Sequence, residues 1–190
     1  MGTGEPLDNY DSLLRFIRIL TSEEGLMISQ RNITVSTCGL VPKIYRLIED
    51  APHVTLSVSL HAHSDEVRKT MMPIANTYPI GDLIEAARAY AEKTGRRVVF
   101  EYALVEGVND GREDAAALAK LLRGMVCHVN LIPLNSVKER SLMGVSRAHA
   151  EEFAGWLTKE HISATVRREM GADIDGACGQ LRRRVIHEIQ

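Results

Sequence analysis

The residues most able to do chemistry lie near the carboxyl end of the chain. There Cys178 stands within Gly171-Ala172-Asp173-Ile174-Asp175-Gly176-Ala177-Cys178-Gly179-Gln180-Leu181. Small neighbours leave a sulfur approachable, and thiolate reactivity needs approach as well as a suitable pKa. Cys178 is therefore either an incidental thiol or a nucleophile. At the other end, Gly2-Thr3-Gly4-Glu5-Pro6 is either a simple turn or a loop that offers backbone groups and a carboxylate to a ligand amine. Between them, Ser36-Thr37-Cys38-Gly39 and Ser59-Leu60-His61-Ala62 each close an alternating run, so they project hydroxyls and an imidazole from strand ends. Asn135 follows Asn130-Leu131-Ile132-Pro133-Leu134. Its amide both donates and accepts, which suits a ribose or adenine edge and equally suits a turn.

Metal binding finds little support. Cys38, Cys127 and Cys178 are too far apart for a CxxC or CxxxCxxC loop, and the histidines show no HExxH spacing. The chain by itself is expected to hold no metal. Arg167, Arg168 and the run Arg182-Arg183-Arg184 form either a cationic rim for phosphates or a solvated basic tail.

These groups need a scaffold, and periodicity supplies one. Helical spacing runs over Asp11–Leu26, Val41–Glu49, Arg112–Leu122 and Arg147–Lys159, with a mostly helical stretch from Ser64 to Thr94 broken near Pro73 and Pro79 and stopped at Gly95. Strands are expected over Ile33–Cys38, Val54–Ala62, Val98–Val105, His128–Leu134 and Ile162–Arg168. Strands separated by helices of this length need crossovers, which means a parallel α/β sheet.

The strands also choose between an open doubly wound sheet and a barrel. Val54, Leu56, Val58 and Leu60 share one face, while Thr55, Ser57, Ser59 and His61 share the other. The same split separates Val98, Phe100, Tyr102 and Leu104 from a face containing Glu101. Helices on both sides would require strands apolar almost throughout. A polar lumen fits instead. With five strands against the about 250 residues of a complete eight-fold barrel, the expected fold is a partial (β/α) TIM-like barrel.

Composition sets the outer limits. The 190 residues are 45% hydrophobic and 25% charged, with a formal net charge of −2. That excludes wholesale disorder and a generally cationic nucleic-acid coat. No apolar run reaches the length of a membrane span, and Met1–Asp11 has no signal-peptide pattern, so a cytoplasmic location is expected.

Taken in order, GEPL, VSTCG, SLHA, FEYALVEGVND, NLIPLN and GADIDGACGQL resemble the radical S-adenosylmethionine adenosine methyltransferases of the RlmN/Cfr family, over Gly2 to about Leu181. The resemblance is nearest to the RlmN branch, which methylates carbon 2 of adenosine in 23S rRNA and in tRNA. The alternatives are Cfr-like action at carbon 8, or a non-catalytic module that binds S-adenosylmethionine or RNA.

The resemblance implies that Gly4, Glu5, Ser36, Ser59, Leu60, His61 and Asn135 cradle S-adenosylmethionine and that Cys178 carries the methyl group. It further implies a 4Fe–4S cluster in the complete enzyme, a radical step, and a disulfide between the carrier and a resolving cysteine at release. An electron donor such as flavodoxin or ferredoxin belongs to the same picture. Thr3 and His63-Ser64 depart from the family pattern. The cluster-binding CxxxCxxC, the resolving cysteine, an N-terminal accessory region and the barrel's first strand and helix are expected upstream. On this reading residues 1–190 form one truncated methyltransferase domain with no turnover of its own.

Overall fold

The computed structural model describes residues 4–133 and 143–168. Five parallel strands form one sheet: β1 (Thr34–Thr37), β2 (Thr55–Ser59), β3 (Val98–Leu104), β4 (Cys127–Pro133) and β5 (Ala164–Val166). Their spatial order is their chain order, β1-β2-β3-β4-β5. A doubly wound sheet would reverse direction partway along, and this one does not. Successive right-handed crossovers without reversal put every connecting helix on the same side, so the sheet is an arc of a (β/α) barrel.

The helices are α1 (Tyr10–Thr21), α2 (Val41–Asp50), α3 (Asp65–Met71), α4 (Ile80–Thr94), α5 (Arg112–Leu122) and α6 (Arg147–Lys159). Four of them present an apolar stripe to the strands at helical spacing: Ile44, Leu47 and Ile48 on α2, Leu83, Ala87 and Tyr90 on α4, Leu118 and Leu122 on α5, Phe153 and Leu157 on α6. Those stripes bury the strand residues Val35, Leu56, Val58, Phe100, Tyr102, Val129 and Leu131. The opposite strand face carries Ser57, Glu101, Asn130 and Thr165, the side chains expected to line a lumen.

Local signals set the ends of elements. Ser146 caps α6 by accepting from His149 N–H, and Gly95 stops α4 in the left-handed region at φ 66°. Gly39 makes the turn from β1 into α2 at φ 107°, where an added Cβ would stand 2.9 Å from Leu83.

Some boundaries differ from the sequence reading. The first helix ends at Thr21, five residues short of Leu26, because Ile28 N–H returns to the Leu20 carbonyl and folds the chain back. The Ser64–Thr94 stretch divides into α3, a 3₁₀ turn over Pro73–Asn76, and α4. β2 stops at Ser59, before Ala62, because Leu60 N–H and His61 N–H both turn onto the Glu101 carbonyl. The last strand contracts to three residues. Among the described residues no helix is long and apolar enough to cross a membrane.

The buried and exposed aromatic positions give a direct test. Phe100→Ala, in the centre of the core, is expected to cost about 3–5 kcal/mol in urea unfolding. Phe16→Ala on α1, where the side chain is 55% exposed, should shift stability by no more than about 0.5 kcal/mol.

Candidate functional site

The carboxyl ends of β1, β2 and β3 gather most of the described candidate residues. Gly4, at φ 115°, leads into Glu5, whose carboxylate is tied down twice. Its Oε1 accepts from Leu7 N–H at 3.0 Å and its Oε2 from Cys38 N–H at 2.7 Å. Leu7 is fully buried, so the loop is anchored by an apolar plug as well as by the carboxylate. This brings Gly4 and Glu5 to the end of β1, next to Ser36 and Cys38. Each carboxylate oxygen has a second acceptor direction not used by these bonds.

The end of β2 is held more elaborately. Arg68 of α3 is 0% exposed and has no carboxylate partner among the described residues. Its guanidinium instead donates to three carbonyls: Nε to Leu60 (3.2 Å), and Nη2 to Cys38 (2.7 Å) and Ser59 (3.4 Å). One buried cation thus ties the end of β1 to the end of β2. A buried charge is costly unless its hydrogen-bonding capacity is used; carbonyl dipoles supply that on the Nε and Nη2 side, while Nη1 is enclosed without a partner among the described residues.

His61, next in line, has φ 58°, a left-handed conformation that costs a non-glycine residue about 1–3 kcal/mol. Asn109, 0% exposed, holds it there. Asn109 Nδ2 donates to the His61 carbonyl at 2.9 Å and to the Ala103 carbonyl at 2.8 Å, while its Oδ1 accepts from Val105 N–H at 2.8 Å. The imidazole is fixed as well, with Nδ1 accepting from Ala103 N–H at 3.0 Å. Burial, with Arg68 nearby, lowers its pKa from 6.5 to about 4. The ring is neutral at physiological pH, and since Nδ1 accepts, the proton sits on Nε2.

Deeper on the concave face runs a polar ladder. Glu101 Oε1 accepts from Ser57 Oγ (3.2 Å) and Asn130 Nδ2 (3.1 Å), and Thr165 Oγ1 donates to Asn130 Oδ1 (3.2 Å). His128 Nε2 lies 2.9 Å from the same Thr165 oxygen, whose proton is already committed, so Nε2 is the donor. Glu101 Oε2 is enclosed without a partner among the described residues. A shallow cleft lined by Thr21, Met27, Gln30, Arg31 and His53 lies at the amino-terminal ends of the strands, away from these groups.

The structure therefore brings together Gly4, Glu5, Ser36, Ser59, Leu60 and His61. Asn135 and Cys178 lie outside the described residues, as do Arg182, Arg183 and Arg184. Arg68, Glu101 and Asn109 were not singled out by sequence reasoning. A lone carboxylate on the polar face of the third predicted strand could have flagged Glu101. Nothing in local spacing distinguishes Arg68 or Asn109 from surface residues.

The two described cysteines are both free thiols. Cys38 sits at the carboxyl end of β1 and Cys127 at the amino end of β4, so they cannot pair, and no disulfide exists among the described residues. Burial and the neighbouring Glu5 carboxylate push the Cys38 thiol up to about 12. Burial likewise raises Cys127, to about 11. Neither has the depressed pKa of a nucleophilic thiol. Among the described residues no cluster of His, Cys, Asp and Glu could hold a metal ion.

Similarity to known proteins is extensive. A family model described as the Radical SAM superfamily matches residues 1–121. A protein of Clostridium perfringens (strain SM101 / Type A) named "Probable dual-specificity RNA methyltransferase RlmN" is 56% identical over 186 residues, 98% of this chain and 54% of that protein. One of Lachnospira eligens with the same name is 54% identical over 189 residues, 100% of this chain and 54% of that protein. The chain thus spans about half the length of the curated relatives it matches. Among solved structures, a radical SAM methyltransferase from Sphaerobacter thermophilus superposes with a TM-score of 0.90 at 50% identity, covering 95% of this chain and 53% of that one. A domain of pyruvate-formate lyase-activating enzyme from Bacteroides vulgatus, at 18% identity and TM-score 0.64, covers 87% of this chain and 96% of that one and shares the fold.

The Cys38 environment predicts an unreactive thiol. At pH 8, iodoacetamide should modify Cys38 at least about ten-fold more slowly than an exposed cysteine. Glu5→Gln, which removes the adjacent negative charge, should accelerate it, as read by mass spectrometry of the Cys38 peptide.

Proposed function

The chain belongs to the radical SAM superfamily, whose members use S-adenosylmethionine and a 4Fe–4S cluster, and from that membership we propose that its strand ends cradle S-adenosylmethionine for methylation of adenosine in RNA. The single observation that carries this reading is the convergence of Glu5, Ser36 and Ser59-Leu60-His61 on one edge of the sheet, fixed by Arg68 and Asn109. The donors and acceptors at that edge fit the group. Free acceptor capacity on Glu5 suits an ammonium, the His61 Nε2–H suits an acceptor atom, and the serine hydroxyls suit either.

In this reading Glu5 receives the amino group, while Ser36, Ser59, Leu60 and His61 line the rest of the cradle with Asn135. The buried guanidinium and amide beneath them hold their geometry without reorganising when ligand arrives, which is the preorganisation that saves binding free energy. S-adenosylmethionine, when bound, supplies a methyl group activated by its sulfonium. Cys178 is the proposed sulfur that carries this methyl group toward carbon 2 of adenosine, with RNA as substrate by analogy with the relatives' names and 23S rRNA and tRNA as the particular RNAs that the motif resemblance implies. A low-potential electron donor such as flavodoxin or ferredoxin is the expected further partner.

The cluster is a different matter. The chain has three cysteines in all, none in CxxxCxxC spacing, and the two described ones lie at opposite ends of the sheet. The residues of this chain do not fit a cluster, and no step is assigned through one. We infer that residues 1–190 supply the nucleotide cradle and methyl carrier of a longer enzyme.

Calorimetry with S-adenosylmethionine tests the cradle. Binding is expected to the chain itself, and Glu5→Ala should weaken it by about ten-fold, the order expected for a charge-assisted hydrogen bond; absence of any heat would reject the reading. Incubation of the chain with S-adenosylmethionine, iron, sulfide, reductant and a 23S rRNA fragment should give no methyladenosine, and turnover would reject the inference of a partial enzyme.

A further inference from the structure

We propose that Asn109 is a positioning residue that locks His61 as a permanent hydrogen-bond donor, its Nε2–H aimed at an acceptor atom of S-adenosylmethionine and its ring unable to serve as a base. The proposal rests on the cradle reading above and deepens it by assigning His61 one protonation state and naming the side chain responsible.

Constraints on both the main chain and the ring of this histidine meet in Asn109. Its main chain occupies the left-handed region at φ 58°, and the Asn109 amide captures its carbonyl. Its Nδ1 accepts from Ala103 N–H, a backbone donor that cannot reverse its role. Asn109 Nδ2 also grips the Ala103 carbonyl, and its Oδ1 takes Val105 N–H, so one side chain fixes both the histidine backbone and the strand segment that fixes the histidine ring. Asn109 is itself immobilised, because the fully buried Tyr102 hydroxyl donates to its carbonyl at 3.1 Å and the Tyr102 ring stacks on Phe153 with centroids 5.7 Å apart. The positioning thus runs from the helix-packed core, through Tyr102 and Asn109, to the strand end.

The chemistry of the lock is directional. An imidazole whose Nδ1 accepts from an amide is a donor at Nε2 while neutral. To become a cation it must break the Ala103 bond and place a charge near the Arg68 guanidinium, in keeping with its lowered pKa. Among the described residues nothing accepts from Nε2. S-adenosylmethionine offers acceptors of several kinds, in its carboxylate, ribose oxygens and adenine ring nitrogens. Asn109 touches neither ring nitrogen of His61, so its contribution is geometric.

Long-range proton–nitrogen correlation spectra of the full 190-residue chain, labelled with nitrogen-15 in histidine, read the tautomer directly. His61→Gln assigns the signal. The expected result is one histidine that stays in the neutral Nε2–H form from pH 8 to below pH 5, and whose Nε2 resonance moves when S-adenosylmethionine is added. Asn109→Ala should let that ring titrate toward 6.5, and should weaken S-adenosylmethionine binding by about ten-fold. Asn109→Asp, which keeps the acceptor for Val105 N–H but has no donor, should fail to restore either property. Tyr102→Phe, a milder change that keeps the core volume, should move both readouts in the same direction by a smaller amount.

An Nδ1–H tautomer in the unmutated chain, or a His61 that titrates normally there, overturns the proposal even if the asparagine variants do not fold. So does a normal S-adenosylmethionine complex that leaves the His61 Nε2 signal unmoved, or an Asn109→Ala variant with unchanged tautomer and titration. Absence of S-adenosylmethionine binding at all overturns the cradle reading beneath it, which separates the two failures.

Discussion

A sheet whose strands are apolar on one face and polar on the other can be covered by helices on one side only, and the rest of this structure follows from that constraint. Val35, Leu56, Val58, Phe100, Tyr102, Val129 and Leu131 are buried against the helices. On the reverse side Ser57, Glu101, Asn130, Thr165 and His128 satisfy one another across four strands. Hydrophobic burial provides the driving force on one side, and the ladder keeps the other side from carrying unpaired polar groups at a cost of roughly 1–3 kcal/mol each. Glu101 Oε2 stands as an exception, a buried acceptor without a partner among the described residues.

The strand ends carry a second, more local constraint. At the end of β2, the carbonyls of Ser59, the last strand residue, and of Leu60 and His61 just beyond it are taken by side chains. Arg68 takes the first two and Asn109 the third. Both side chains are fully buried, and Arg68 also reaches Cys38, whose N–H is held by Glu5. Glu5, Cys38, Arg68 and the end of β2 therefore form one connected network, continued through Asn109 into Tyr102 and the core. Rigid support of this kind is what a binding edge needs if affinity is not to be lost to reordering. It also explains how a non-glycine residue persists at positive φ: the surrounding bonds over-determine it.

Much of this was legible beforehand, and the reasons are specific. Alternation in Thr55–Ser59 assigned Leu56 and Val58 to the helix-packed face and Ser57 to the polar one correctly, because period two is a property of the extended backbone itself. Gly95 marked the stop of α4 because it alone adopts the left-handed cap without strain. The strand-end positions of Ser36 and of Ser59-Leu60-His61 followed from the same alternation, and the resemblance of short motifs to a known family led to the superfamily that the family match bears out. Errors fell at element ends. Helical spacing alone predicts a first helix five residues longer than the one that forms, since Leu26 and Met27 are apolar in sequence yet lie exposed after the chain turns back.

The sequence by itself determined the two-faced strands, their alternation with helices, and hence a parallel sheet with a polar concavity, because these depend on the periodicity of neighbouring residues. Tertiary structure alone decided the turn of β2 onto Glu101 and the roles of Arg68 and Asn109. Those roles join residues as far apart as Cys38 and Arg68, or His61 and Asn109. A hydrogen bond requires its two groups within about 3 Å and correctly directed, and no local pattern of residue types encodes which distant carbonyl a guanidinium or an amide will find once the helices have packed.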